Sequence, residues 1–170
     1  HAPVAARRCR GRRRRRLRSS TSRVTSAPCQ PGVDVVSGPL AFGVIDQVIA
    51  QHQKVDILVL CAGTIARTPL ADSTDEEWRS IFDVNVMGVV NPARKLFPLM
   101  CERGFGKILA AGSIAAKNGG VASGPAYVAS KSAVHGMMRW IAKAGAPHGV
   151  YANTLAPGPV ETAMWAKVTG

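Results

Sequence analysis

An α/β fold built around a parallel sheet is what this sequence predicts, and three observations carry that prediction. Strand-like runs at 55–60, 107–111 and 150–155 alternate with stretches of helical spacing, the pattern of βαβ units. Val55-Asp56-Ile57-Leu58-Val59-Leu60 is a nearly continuous Leu and β-branched run, apolar on both faces, as expected of a strand covered on both sides. Each run ends in small or turn-forming residues: Cys61-Ala62-Gly63, Gly112-Ser113 and Pro157-Gly158-Pro159. In such sheets ligands gather at the carboxyl ends of the strands.

Taken in order, residues 1–32 hold ten Arg and no acid, with Arg12 to Arg16 unbroken. Their composition cannot bury enough apolar surface to offset the entropy of ordering, so a disordered tail is expected. Three readings compete for it. An organelle transit peptide is Arg- and Ser-rich, but the apolar face here is thin. A nucleic-acid tail fits on charge alone. The favoured reading is a non-native reading frame, because the chain opens on His1 and GC-rich DNA read out of frame yields Arg, Ala, Pro and Gly.

From Val33 the texture changes, and residues 33–170 read as one partial domain. Val33 to Val36 is strand-like and Gly38-Pro39 reads as a turn. Leu40 to Gln53 has helical spacing, with Val44, Ile45, Val48 and Ile49 on one side. Ser73-Thr74-Asp75-Glu76 is a capping-box signature for a helix through Trp78, Ile81, Phe82 and Asn85. Asn91-Pro92 is expected to open the next helix, which stops near Gly104. Gly119 to Gly124 reads as loop, and Pro125 starts a helix that runs to about Lys143.

The charge balance excludes several classes of function. The net charge of +12 comes almost wholly from the tail, and residues 33–170 are near neutral. Nothing in that body argues for a nucleic-acid surface. Four Cys and four His are scattered without disulfide or metal-ligand spacing, so no metal is expected and a reduced, cytoplasmic setting is the default. No apolar run reaches the length of a membrane span.

The chemistry converges on Tyr127-Val128-Ala129-Ser130-Lys131. On a helix Tyr127 and Lys131 share a face, and Val134, Met138 and Ile141 continue it. Ser132, His135, Arg139 and Lys143 fall on the opposite side. Lys131 is thus the one cation on an apolar stripe, where Lys is rarely found without a partner or a task. A phenol titrates near 10, about 10 in model peptides, and is a poor base at neutral pH. A neighbouring ammonium favours the phenolate. Such a pair suits proton delivery to a developing alkoxide.

With Ser113 at the preceding strand end, this constellation resembles the short-chain dehydrogenase/reductase family, of classical type and closest in texture to bacterial 3-oxoacyl reductases. The resemblance covers about residues 33–170. Leu60-Cys61-Ala62-Gly63 is similar to the family's Asn-Asn-Ala-Gly strand end, with Leu60-Cys61 in place of the two Asn. Asn85, in Asp83-Val84-Asn85-Val86-Met87-Gly88, matches the family's Asn, and Pro157-Gly158-x-Val160-x-Thr162 its carboxamide-binding segment. Asp34-Val35 resembles the pair near the adenine.

The resemblance implies a Rossmann-like doubly wound sheet and an NAD- or NADP-dependent exchange between a ketone and a secondary alcohol. Tyr127 would be general acid/base, Ser113 would bond the substrate oxygen, Lys131 the nicotinamide ribose, and Asn85 would hold a relay water. Cys61, Ala62 and Gly63 would lie against the cofactor. A small carbonyl or alcohol substrate and a homodimer or homotetramer follow as partners, the latter through the helices at Pro92 to Arg103 and at Tyr127/Lys131. The family's Gly-rich pyrophosphate turn, Thr-Gly-x-x-x-Gly-x-Gly, does not occur in the sequence. The first βαβ unit and the last strand are therefore expected to be missing, leaving 55–60 as an exposed edge. The alternative is an inactive truncated or frame-shifted fragment that binds no cofactor.

Overall fold

A computed structural model of the chain describes residues 38–160 apart from Val121, all within one compact unit, Gly32–Gly170. The Arg-rich residues 1–32, the strand expected at 33–36, and Asp34, Val35 and Thr162 lie outside the described residues.

Helix α1 (Gly38–His52) begins earlier than its spacing suggests. Gly38-Pro39 opens this helix and makes no separate turn, because a Pro in the first turn has no N–H that needs an intrahelical acceptor. Ile45 and Ile49 pack against the core, and Asp46 meets Lys95 Nζ at 2.8 Å.

Three parallel strands, β1 (Ile57–Leu60), β2 (Gly106–Ala111) and β3 (Val150–Leu155), form a sheet in that order. Ile57 pairs with Lys107, and Lys107 with Tyr151. Among the described residues β1 is an edge, as expected. Its two faces are not equivalent, which corrects the reading of a strand covered on both sides. Leu60, Ile108, Ala110, Val150 and Ala152 are buried under helices, whereas Ile57 is 62% exposed, Val59 56%, Tyr151 61% and Leu155 59%. The described helices that cover the sheet lie on one face only, so the alternate residues of β1 and β3 remain in water, while Leu109 and Ala111 of β2 are half-buried.

Between β1 and β2 the chain is irregular through Pro69 and then helical from Asp75 to Arg103. Helix α2 (Asp75–Phe82) is capped by Thr74, whose Oγ1 accepts from the Glu77 amide at 3.2 Å. The box therefore sits one residue later than Ser73–Glu76. Ser73 is spent elsewhere: its hydroxyl donates to Leu70 O and accepts from Trp78 Nε1. Then comes a π-turn, Asp83–Met87, followed directly by α3 (Gly88–Arg103). The break expected at Asn91-Pro92 does not occur. Pro92 lies inside α3, close behind the interruption that the π-turn already makes in the hydrogen-bond ladder. Gly104 ends the helix in the left-handed region, at φ 72°.

After β2 a short helix α4 (Ala115–Asn118), which the sequence did not announce, precedes α5 (Pro125–Gly145). The predicted stripe of α5 is the buried one: Tyr127, Lys131, Val134, Met138 and Ile141 all lie inside. Val134 and Met138 are fully buried, each contributing about 1.5–3 kcal/mol of transfer free energy. α5 packs along β3, and α3 along β1 and β2, so the carboxyl ends of all three strands open beside the first turns of α5.

Candidate active site

The site is assembled around Asn85, which the π-turn carries into the interior with no exposed surface. Such turns are rare and recur at functional sites. Its Oδ1 accepts from the Thr64 amide at 2.7 Å, and its Nδ2 donates to Thr64 O at 3.0 Å and Ser130 Oγ at 2.9 Å. Both amide hydrogens are thereby used, so the side-chain nitrogen has none left for a water. These bonds hold the segment after Gly63 against α5.

On α5, Ser130 is fully buried and donates to Tyr127 O at 2.8 Å. Lys131, 4% exposed, sends its Nζ to Ala111 O at 2.8 Å, two residues before Ser113. The same Nζ lies 5.9 Å from the centroid of the Tyr127 ring, whose residue is 9% exposed. Burial pushes the Lys131 ammonium below its usual range, against an opposing pull from Cys61. Gly63 faces this nitrogen directly. A Cβ there would stand 3.2 Å from Lys131 Nζ and 3.7 Å from Asn85 Oδ1.

Ser113 is buried at the end of β2, with Oγ accepting from the Ala115 amide at 3.1 Å. The following amide, Ile114 N, donates to Pro157 O at 3.0 Å, and Gly112 N to Leu155 O at 2.8 Å, so the segments after β2 and β3 run side by side. Gly158 has open space where a side chain would lie, and Val160 is 56% exposed. Cys61 is exposed, while Ala62 and Gly63 are half-buried.

The structure thus brings Gly63, Asn85, Tyr127 and Lys131 together, with Ser113 two residues beyond the carbonyl that holds Lys131. Pro157 joins through its carbonyl; Gly158 and Val160 stand out in solvent. Sequence reasoning missed Thr64, Ser130 and His135. Ser130 offered a signal, as a hydroxyl one residue from Lys131 on the inner face of the helix. His135 did not stay on the outer side assigned to it: its Nε2 accepts from the Ser113 amide at 3.3 Å.

A family model described as short chain dehydrogenase matches residues 31–170. The chain belongs to the short-chain dehydrogenase family. Among its relatives, an acetoacetyl-CoA reductase of Allochromatium vinosum is 34% identical over 131 residues, 77% of this chain and 53% of that protein. A 3-oxoacyl-(acyl-carrier-protein) reductase of Thermotoga maritima is 31% identical, over 74% of this chain and 50% of that one. A candidate NAD(P)-dependent gluconate 5-dehydrogenase from Beutenbergia cavernae, crystallised with NADP bound at low occupancy, superposes with TM-score 0.73. It is 36% identical and matches 79% of this chain and 53% of that one. The chain spans about half the length of the curated relatives it matches. Its sheet and helices are those of the family's Rossmann-type α/β fold.

Within this member of the short-chain dehydrogenase family, the residues around Gly63 are small enough to fit a flat ligand against the backbone. Gly63 lies so near the buried Lys131 ammonium that a Cβ there would crowd it.

Proposed function

We propose that the chain carries the proton-transfer half of an oxidoreductase that interconverts a ketone and a secondary alcohol with NAD or NADP, using Tyr127 as general acid/base. The observation that carries this reading is the placement of Lys131, a buried cation held on Ala111 O beside the Tyr127 ring. A charge in that position is costly to bury, and a use in chemistry accounts for it better than packing does.

When bound, the dinucleotide supplies or accepts the hydride. The protein's own residues do the rest. Lys131 would bond the ribose hydroxyls and hold a positive charge beside the Tyr127 ring. Ser113 Oγ, fixed by the Ala115 amide, would donate its hydrogen to the substrate oxygen as negative charge develops there. Tyr127 O–H would then deliver the proton that completes the alcohol. Asn85 would act by joining Thr64 to Ser130, and through Ser130 to the Tyr127 backbone. Pro157, Gly158, Val160 and Thr162 would border the carboxamide; Asp34 and Val35 would border the adenine, with Cys61, Ala62 and Gly63 along the cofactor.

The test is Tyr127→Phe in this chain joined to the dinucleotide-binding half of a relative, assayed for NADH and NADPH oxidation with a panel of small ketones. A fall of about 10²–10⁴-fold in kcat is expected for loss of a general acid; unchanged turnover would sink the assignment.

A second reading, favoured by the exposed apolar sheet face, is that the chain by itself binds no cofactor. NADH or NADPH fluorescence enhancement at micromolar cofactor would refute it. The exposed Leu99 on α3 and Trp140 on α5 support a homo-oligomer through these helices, and the scattered cysteines without disulfide spacing support a cytoplasmic setting. No helix among the described residues is long and apolar enough to cross a membrane.

A further inference from the structure

The hydrogen bond from the Ser113 amide to His135 crosses 22 residues of sequence and reaches the end of β2 from one helical turn after Lys131. Since Nε2 is the acceptor, the ring is neutral with its proton on Nδ1. The seat for this ring is built by Gly112. A Cβ at Gly112 would fall 2.1 Å from His135 Nε2 and 2.6 Å from Thr154 Cγ2, so a side chain there and this ring cannot coexist. The groove that holds the ring is lined by Lys117 from α4, Met138 and Arg139 from α5, and Asn153 and Thr154 from β3.

We propose that His135 is a positioning residue for Ser113: its neutral ring anchors the Ser113 backbone amide, and the serine is correctly set only while that ring is unprotonated. For the functional weight of Ser113 this rests on the catalytic reading above; the latch itself does not. An imidazolium has a hydrogen on both nitrogens and cannot accept from an amide. It would face the Ser113 N–H donor to donor, and the contact would open.

The charges acting on the ring are all of one sign. Lys117 comes from α4, and Arg139 and Lys131 from α5; β3 contributes only uncharged groups to the groove. Burial and these cations together hold the imidazole below its ordinary range, so the latch stays closed at neutral pH.

The experiment is a ¹⁵N-NMR titration of this chain between pH 8 and pH 5. At pH 8 the His135 ring should show the Nδ1–H tautomer, with the Ser113 amide proton downfield. On acidification the two signals should titrate together, with a shared midpoint below the usual imidazole value. His135→Phe should leave the Ser113 amide upfield and flat with pH. His135→Gln, which keeps an acceptor of similar reach, should restore the downfield position and remove the titration. Gly112→Ala should uncouple Ser113 from a His135 that remains present. A Ser113 amide that titrates alike in His135→Phe, or that ignores His135 in the unmodified chain, would overturn the proposal. Tyr127→Phe should leave the coupling intact, so failure of the catalytic reading and failure of the latch are separately visible.

Discussion

Asn85 and Ser130, 45 residues apart, meet inside the protein: Asn85 Nδ2 donates to Ser130 Oγ at 2.9 Å, and neither residue has exposed surface. Ser130 passes the contact on to Tyr127 O, and Asn85 also grips both backbone groups of Thr64. One side chain therefore ties the segment after β1 to the first turns of α5, which carry Tyr127 and Lys131.

Removing that clamp should cost stability as well as function. Asn85→Ala removes the partner of the half-buried Thr64 amide and carbonyl, and leaves the buried Ser130 Oγ with its bond to Tyr127 O alone. A group left unsatisfied costs about 1–3 kcal/mol; with water able to reach the half-buried Thr64 groups, a total loss of roughly 3 kcal/mol, the low end for three groups, is expected. Urea denaturation checks it; a loss under 1 kcal/mol would mean the network is replaced by water.

Lys131→Met should do the opposite for the fold. Folding lowers the lysine's pKa, so its contribution to stability is present above the unfolded value and lost as pH falls through the folded one. At neutral pH the ammonium is therefore a burden on the folded state. Methionine removes the charge and keeps the stem, so stability should hold or rise by up to about 2 kcal/mol, while carbonyl reduction collapses. Loss of stability together with loss of turnover would make Lys131 a structural residue.

His135 makes the fold acid-sensitive. Its pKa is lowered on folding, so the unfolded chain binds more protons wherever the two states differ. Its stabilisation is complete above about pH 6.5, the unfolded value, and is lost as pH falls below that towards the folded value. Thermal melts of the unmodified chain and His135→Gln should diverge across this acidic window and run parallel above pH 7.

Gly63→Ala should separate stability from activity. Its Cβ would crowd Lys131 Nζ, the tip of a flexible side chain, so the ammonium moves and the backbone does not. A destabilisation below about 1 kcal/mol is expected, with at least a tenfold drop in turnover, read in the assay used for Tyr127→Phe.

The bare sheet face should make the isolated chain sticky. Ile57 and Val59 lie side by side on a strand that is an edge among the described residues, with their side chains in solvent, and such edges template association. Ile57→Lys with Val59→Lys should lower dye binding to exposed apolar surface and raise solubility without lowering the melting temperature, because neither residue enters the core.

Much of the architecture is written in local pattern. The β3 strand and the buried stripe of α5 follow from spacing alone, because period 2 and period 3.6 are properties of the backbone that side chains must obey. Tyr127 and Lys131 were legible for the same reason: four residues on a helix is a contact wherever the helix sits. The Asn85 network, the π-turn that aims it and the His135 latch were not legible. The network and the latch join segments more than twenty residues apart, and a hydrogen bond across such a distance depends on how helices dock onto strands; the π-turn has no pattern of its own to set it apart from ordinary helix. Burial of β1 on one face only is of the same kind: a run of apolar residues states which faces can be covered, and only packing decides which one is. The sequence by itself determined a parallel α/β sheet and the Tyr127/Lys131 pair. The tertiary structure decided what holds that pair in place, because the clamping groups become neighbours only once the core has closed.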